Sequence, residues 1–133
     1  MGHLHADMTV KGSKGAVELK HVLIDTGATY TLLPEEILEE VGAGRVPTEV
    51  ELELGNGQKV KAKAYAVAIK IKDVEAPSIS LTFPGAQTVI GVETLESIGV
   101  KLDPNTGRLE FTRPKGIAYF YSGAMVVPAP VFQ

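Results

Sequence analysis

Val22-Leu23-Ile24-Asp25-Thr26-Gly27-Ala28-Thr29 runs three apolar residues straight into an acid, a hydroxyl residue, a glycine and a small residue. An apolar run of this kind reads as a buried strand. Ending such a strand on aspartate is costly, because an ionised carboxylate without partners does not survive in an apolar interior. The chain must hold Asp25 with hydrogen bonds, let it share a proton, or use it. One reading is structural: the strand closes in an Asx-type turn, with Asp25 bonding the backbone near Gly27. The other is chemical. These eight residues alone leave both open.

Bulk properties bound the answer. A chain of 133 residues makes one domain with a real core, but not two lobes. The net charge of -3 gives no electrostatic case for nucleic acid or for an anionic membrane. With no cysteine, disulfides and thiolate chemistry are excluded. The N-terminus lacks the charged-then-apolar layout of a signal peptide, and no apolar run is long enough to span a bilayer, so cytoplasmic residence is the expectation. Eight prolines, fourteen glycines and many Val/Ile/Leu pairs point to a mainly β domain with tight turns.

Residues 1–7 are short, polar and unpatterned, and read as a flexible N-terminus. His3, His5 and His21 match no spacing of a metal-ligand set, and no metal is expected. Met8 to Lys11 and Ala16 to Leu19 read as strands joined by a Gly12-Ser13-Lys14-Gly15 turn. After the aspartate, Tyr30 to Leu33 returns as a strand and Pro34 opens a helix. Ile37, Leu38 and Val41 form its apolar face, Glu35, Glu36, Glu39 and Glu40 its wet face, and Gly42 caps its end.

Residues 49–63 hold the most informative hairpin. Glu49, Glu51 and Glu53 alternate with Val50, Leu52 and Leu54, while Lys59, Lys61 and Lys63 alternate with Val60, Ala62 and Ala64. A two-residue Asn56-Gly57 loop would set Leu54 opposite Lys59 and mix the faces. A three-residue loop, Gly55-Asn56-Gly57, pairs Glu53 with Lys59, Glu51 with Lys61 and Glu49 with Lys63, and aligns Leu52 with Val60. The second register is therefore expected, with a protruding ribbon and a glycine-rich tip. The alternation changes phase near Ala64-Tyr65, where a bulge or bend is expected.

Further on, Asp73 to Pro77 reads as a turn, and Ile79, Leu81 and Phe83 as a strand. Thr88-Val89-Ile90-Gly91 is a strand leading into a second helix, with Val92, Leu95 and Ile98 on one side and Gly99 as its stop. Residues 100–103 and 108–111 pair across Pro104-Asn105-Thr106-Gly107, which makes Asp103 a turn residue. Strand, glycine turn and a short helix ended by glycine thus occur twice, at 22–42 and 88–99, and only the first copy carries an aspartate.

Leu23-Ile24-Asp25-Thr26-Gly27-Ala28, followed roughly sixty residues on by Val89-Ile90-Gly91 and its helix, resembles the single-domain, retroviral-type (retropepsin-like) aspartic proteases. The resemblance covers about residues 8–112 and implies an all-β half-barrel with two short helices, assembled as a twofold homodimer. It implies an aspartic endopeptidase in which Asp25 of each subunit meets its twin, with Thr26 and Gly27 as scaffold of the site. The hairpin becomes a flap, and Ala28, Thr29, Gly55, Asn56 and Gly57 line the cleft for an extended protein or peptide substrate. No metal or organic cofactor is required. The same resemblance is compatible with a catalytically silent domain used for protein binding or dimerisation. Residues 113–133 depart from the family pattern as an apolar, proline-broken tail, expected to serve dimerisation or to cover the groove.

Overall fold

The computed structural model describes residues 4–112, so the expectations for the tail at 113–133 lie outside the described residues. The order is β1 (Leu4–Lys11), β2 (Ala16–Ile24), β3 (Thr31–Leu32), α1 (Glu35–Val41), β4 (Gly44–Glu53), β5 (Lys59–Ile71), β6 (Val74–Thr82), β7 (Val89–Ile90), α2 (Val92–Ile98), β8 (Val100–Asp103) and β9 (Arg108–Phe111). The β-rich architecture with two short helices is the one expected.

Seven strands form one sheet in the order β1-β2-β7-β3-β6-β5-β4, and a further β1–β5 pairing closes six of them into a ring. The edge of β5 is shared: β4 pairs with it up to Ala66, and β1 takes over at Ala68. Inside the ring lie Met8, Val10, Ile24, Ile69, Ile71 and Ile90, closed off by Leu38 and Val41 of α1 and Leu95 and Ile98 of α2. Both helices end as their glycines direct, with Gly42 at φ 74 and Gly99 at φ 87. Pro34 stands one position before α1 rather than inside it, with extended ψ.

The ribbon adopts the expected register: Glu53 faces Lys59, Glu51 faces Lys61, Glu49 faces Lys63 and Leu52 faces Val60. Its tip is the three-residue loop, closed by Gly57 N–H donating to Leu54 C=O at 2.8 Å, with Gly57 left-handed at φ 85. Cross-strand ion pairing is not the whole account of this register, because the Lys63 ammonium bonds Glu35 of α1 at 3.1 Å. That hydrogen bond is the first cause holding Lys63 above its ordinary value of 10.5.

Four expectations are corrected. Strand β1 begins at Leu4, inside the segment expected to be flexible, because Leu4, His5 and Ala6 pair with Ile24, Leu23 and Val22. Strand β2 runs unbroken from Ala16 to Ile24, absorbing a bulge at His21, whose φ is 58 and whose N–H donates to the Asp7 carboxylate at 2.9 Å. The imidazoles of His5 and His21 stack at 3.9 Å. The turn at 73–77 is shorter, since β6 already starts at Val74. Pro77 is tolerated in β6 because β3 reaches only Ser80 and Leu81, leaving β5 as the one strand bonded at that level.

The bulge expected near 64–65 lies instead on the partner strand, between Val46 and Glu49 of β4, while β5 pairs with β6 without interruption. The phase change in β5 is real but needs no kink. Ala62 and Ala64 join a second apolar cluster with Leu81, Leu32, Val50 and Leu52, and Val67, Ile69 and Ile71 face the ring interior. The strand keeps its alternation and changes which face is covered. The Arg45 guanidinium braces the bulge, donating to the carbonyls of Val46 and Thr48 and lying over the Tyr65 ring.

Strands β8 and β9 form a separate hairpin, and Asp103 is the turn residue expected, accepting the Asn105 N–H at 2.9 Å. That bond is the first cause holding its carboxyl below the ordinary 3.8. A depressed folded-state value adds stability that is present above the unfolded value and lost as pH falls through the folded one. In thermal unfolding, the native chain is therefore expected to outlast Asp103→Asn near neutrality, the gap closing as pH drops below 3.8. A gap that widened toward acid would contradict this.

Candidate active site

Strand β2 delivers Asp25 to the end of the ring beside β7. The two strands run parallel with Leu23 opposite Val89 and Ile24 opposite Ile90. Asp25 and Gly91 are thus the equivalent residues of the two strand–turn–helix units. Where one carries a carboxylate, the other has only a hydrogen. This spacing leaves room for the loop: a Cβ on Gly91 would fall 2.4 Å from the Tyr30 carbonyl carbon and 2.9 Å from the Ala28 oxygen.

The loop and the second unit are bound backbone to backbone. Asp25 N–H donates to Ile90 C=O at 3.0 Å, Val92 N–H to Ala28 C=O at 2.9 Å, and Glu93 N–H to Thr29 C=O at 2.8 Å. The residues after Asp25 therefore serve as the acceptors that the free N–H groups at the start of α2 need. Gly91 N–H donates to the Thr31 hydroxyl at 3.0 Å.

Asp25 itself is exposed in the single chain, as are Thr26 and Gly27. The strand carries Asp25 past the last core residue, Ile24, so the carboxylate avoids the cost of an apolar interior by leaving it. Its Oδ1 accepts the Gly27 N–H at 2.9 Å, within a turn closed by Ala28 N–H to Asp25 C=O at 3.0 Å. This is the bond that the structural reading of the stretch required, and the chemical reading uses it too. It orients the carboxylate through one oxygen, Oδ1.

Above the carboxylate lies an open groove of about 710 Å³. Asp25, Gly27, Ala28 and Thr29 line one side, Glu51 to Gly55 of the ribbon the other, and Tyr30, Leu32 and Leu81 the floor. The structure thus brings Ala28, Thr29 and Gly55 to the same groove as Asp25. Asn56 and Gly57 sit beyond it at the ribbon tip, and Thr26 is outside the lining. The floor residues were missed in the sequence because their placement depends on β3 lying beside β6. The alternation of Leu52 and Leu81 signalled that they face inward, but not onto what.

Among the described residues, no group of three or more His, Cys, Asp or Glu side chains could hold a metal ion. No helix among them is long and apolar enough to cross a membrane. A family model described as "gag-polyprotein putative aspartyl protease" matches residues 10–97, from β1 through most of α2. No curated protein matches the chain.

Proposed function

Since this chain belongs to the gag-polyprotein aspartyl protease family, we propose that it is an endopeptidase whose active form is a twofold homodimer with one Asp25 from each subunit. The observation that carries this is a lone, exposed carboxylate, held by Gly27 at the foot of an open groove. Peptide hydrolysis by carboxylates needs two of them, and one chain has one Asp-Thr-Gly. A twofold axis through the loop supplies the second.

Two carboxylates brought within hydrogen-bond reach cannot both ionise, so they hold one proton between them; aspartic proteases are the standard illustration of the principle. The ionised Asp25 takes a proton from water, and the water oxygen bonds to the scissile carbonyl carbon. The protonated Asp25 gives its proton to the carbonyl oxygen. When the tetrahedral carbon collapses, one of its hydroxyls returns a proton to the ionised carboxylate, the C–N bond breaks, and the amine nitrogen leaves with the proton of the other carboxylate, so the dyad again holds one proton. Thr26, exposed beside the dyad loop, ties the two loops across the axis. The substrate lies extended between the floor and the ribbon, adding main-chain bonds as a strand does. The ribbon, with Gly55, Asn56 and Gly57 at its tip, closes over it.

Cleavage of an unfolded protein substrate across roughly pH 3 to 7 tests the reading, because a shared-proton dyad changes state in that range. Acid-favoured cleavage, suppressed by a statine-type transition-state mimic, is the expected result. A well-folded dimer that does not cleave under any of these conditions would sink the enzymatic reading and leave a binding or dimerisation module.

A further inference from the structure

Strand alternation places one face of β3 and β6 toward the groove and the other toward α2. On the second face a run of buried hydroxyls leads away from Gly91. Gly91 N–H donates to Thr31 Oγ1 at 3.0 Å, Thr31 and Thr94 share a bond of 2.5 Å, and Thr94 and Ser78 share one of 2.8 Å. Ser78 Oγ meets Glu93 Oε1 at 2.8 Å. That oxygen also accepts the Ile79 N–H at 3.2 Å, while Oε2 accepts the Ser97 hydroxyl at 3.1 Å. Thr31 and Thr94 are fully buried, and Ser78 nearly so.

The direction of every link follows from counting protons. A hydroxyl has one to give, and a carboxylate can only accept. Ser78 gives its proton to Glu93, so Thr94 must donate to Ser78. Thr94 then has nothing left for Thr31, so Thr31 must donate to Thr94. Its lone pairs are thereby free for the Gly91 N–H. All four links run one way, from the backbone behind the Asp25 loop to a carboxylate in the first turn of α2. Run in reverse, Thr31 would receive two donors and leave its own proton unmatched in a dry site, which costs as much as losing a bond.

We propose that Glu93 is a positioning residue for Asp25: its carboxylate sets the polarity of this hydroxyl chain and so seats Gly91, on which the Asp25 loop rests. The inference depends on the reading of Asp25 as the catalytic group. Gly91 is flanked by Ile90 and Val92, whose backbones bond Asp25 and Ala28 directly. A loosened Gly91 therefore displaces the reacting carboxylate, and displacements of about 1 Å can cost about a hundredfold in rate. Chains of hydrogen bonds also strengthen one another, so the carboxylate acts beyond its own contact.

Glutamine separates polarity from charge. Its oxygen can take the Ser78 and Ile79 protons while its amide donates to Ser97, which leaves the chain running the same way. Glu93→Ala removes the acceptor, and Thr94→Val cuts the chain at its middle. In the full chain, these two are expected to lower kcat about 10- to 100-fold with KM within about threefold. Glu93→Gln and Thr94→Ser should keep kcat within about threefold of native. The Gly91 amide, followed by NMR in the same four proteins, should shift and exchange faster in the first pair only.

Native kcat in Thr94→Val with an unmoved Gly91 amide would overturn the proposal. So would Glu93→Gln falling as far as Glu93→Ala, or losses that only track the folded fraction found by active-site titration. A native chain that does not cleave would overturn the reading of Asp25 instead. The Gly91 amide would then still decide the polarity of the chain.

Discussion

Asp25→Asn is expected to lower peptide cleavage by about 10²- to 10⁴-fold or more, the range carried by a positioned acid–base group, and to leave fold and dimer intact. The asymmetry follows from the site. Asp25 is exposed, and its described side-chain bond is accepted from the Gly27 N–H. Asparagine Oδ1 accepts the same bond, so the loop keeps its shape. Surface changes of that kind alter stability by about 0.5 kcal/mol or less. What asparagine cannot do is carry the proton that water must surrender. A variant that still cleaved would end the mechanism proposed above.

The same variant measures how many chains make one site. Mixed in equal amounts with native chain, and allowed to exchange, it should roughly halve the native activity, since random pairing halves the pairs with two aspartates. If a single chain were sufficient, the mixture would lose nothing.

Gly91→Ala is expected to destabilise the fold by about 3–5 kcal/mol, beyond the usual cost of overpacking because the bonds of the Asp25 loop are displaced with it. The backbone conformation is not the difficulty: at φ -98 and ψ 175 any residue is comfortable. The difficulty is what a methyl group would meet. Its nearest neighbours are the Tyr30 carbonyl carbon at 2.4 Å, the Tyr30 oxygen at 2.5 Å and the Ala28 oxygen at 2.9 Å, all main chain. No rotamer change relieves a backbone contact. Against a total stability of about 5–15 kcal/mol, such a loss approaches unfolding. Urea denaturation reads it directly, with Gly55→Ala as control, since nothing lies within 4 Å of a Cβ there. The control should be neutral or slightly stabilised. Equal midpoints for the two variants would refute this account of Gly91.

The parts of this fold that were legible in the sequence are those fixed by local pattern. Opposite charges alternating with apolar residues around Gly55-Asn56-Gly57 admit one register with matched faces, and that register is the one formed. Gly42 and Gly99 stop their helices because only a left-handed residue ends them so economically. The pairing of Asp25 with Val89-Ile90-Gly91 was legible as a resemblance rather than as physics.

What the pattern did not reveal depends on neighbours distant in sequence. A change of covered face in β5 looks the same whether β5 bulges or β4 does, and here β4 does. Lys72 turns the chain at φ 59, a conformation that lysine does not advertise, so the start of β6 was placed too late. Thr31, Ser78 and Thr94 look like ordinary strand and helix hydroxyls until β3, β6 and α2 are brought together. Their order, and the role of Glu93 at its end, is a property of the tertiary structure alone.

The bulge at residues 47–48 has a mechanical consequence. It lies opposite Lys63 and Ala64, where β5 stops being covered on one side and starts being covered on the other. Below that level β5 is clamped on one side by β6 and on the other by β4 as far as Ala66 and then by β1 from Ala68; above it, the ribbon is two strands wide. From Thr48 to the tip at Asn56 the arm is about 26 Å at the usual rise per strand residue. A swing of about 10° at the bulge would carry the tip about 4–5 Å over such an arm. Arg45 braces the foot of this ribbon, where any small rotation is magnified along the arm to its tip.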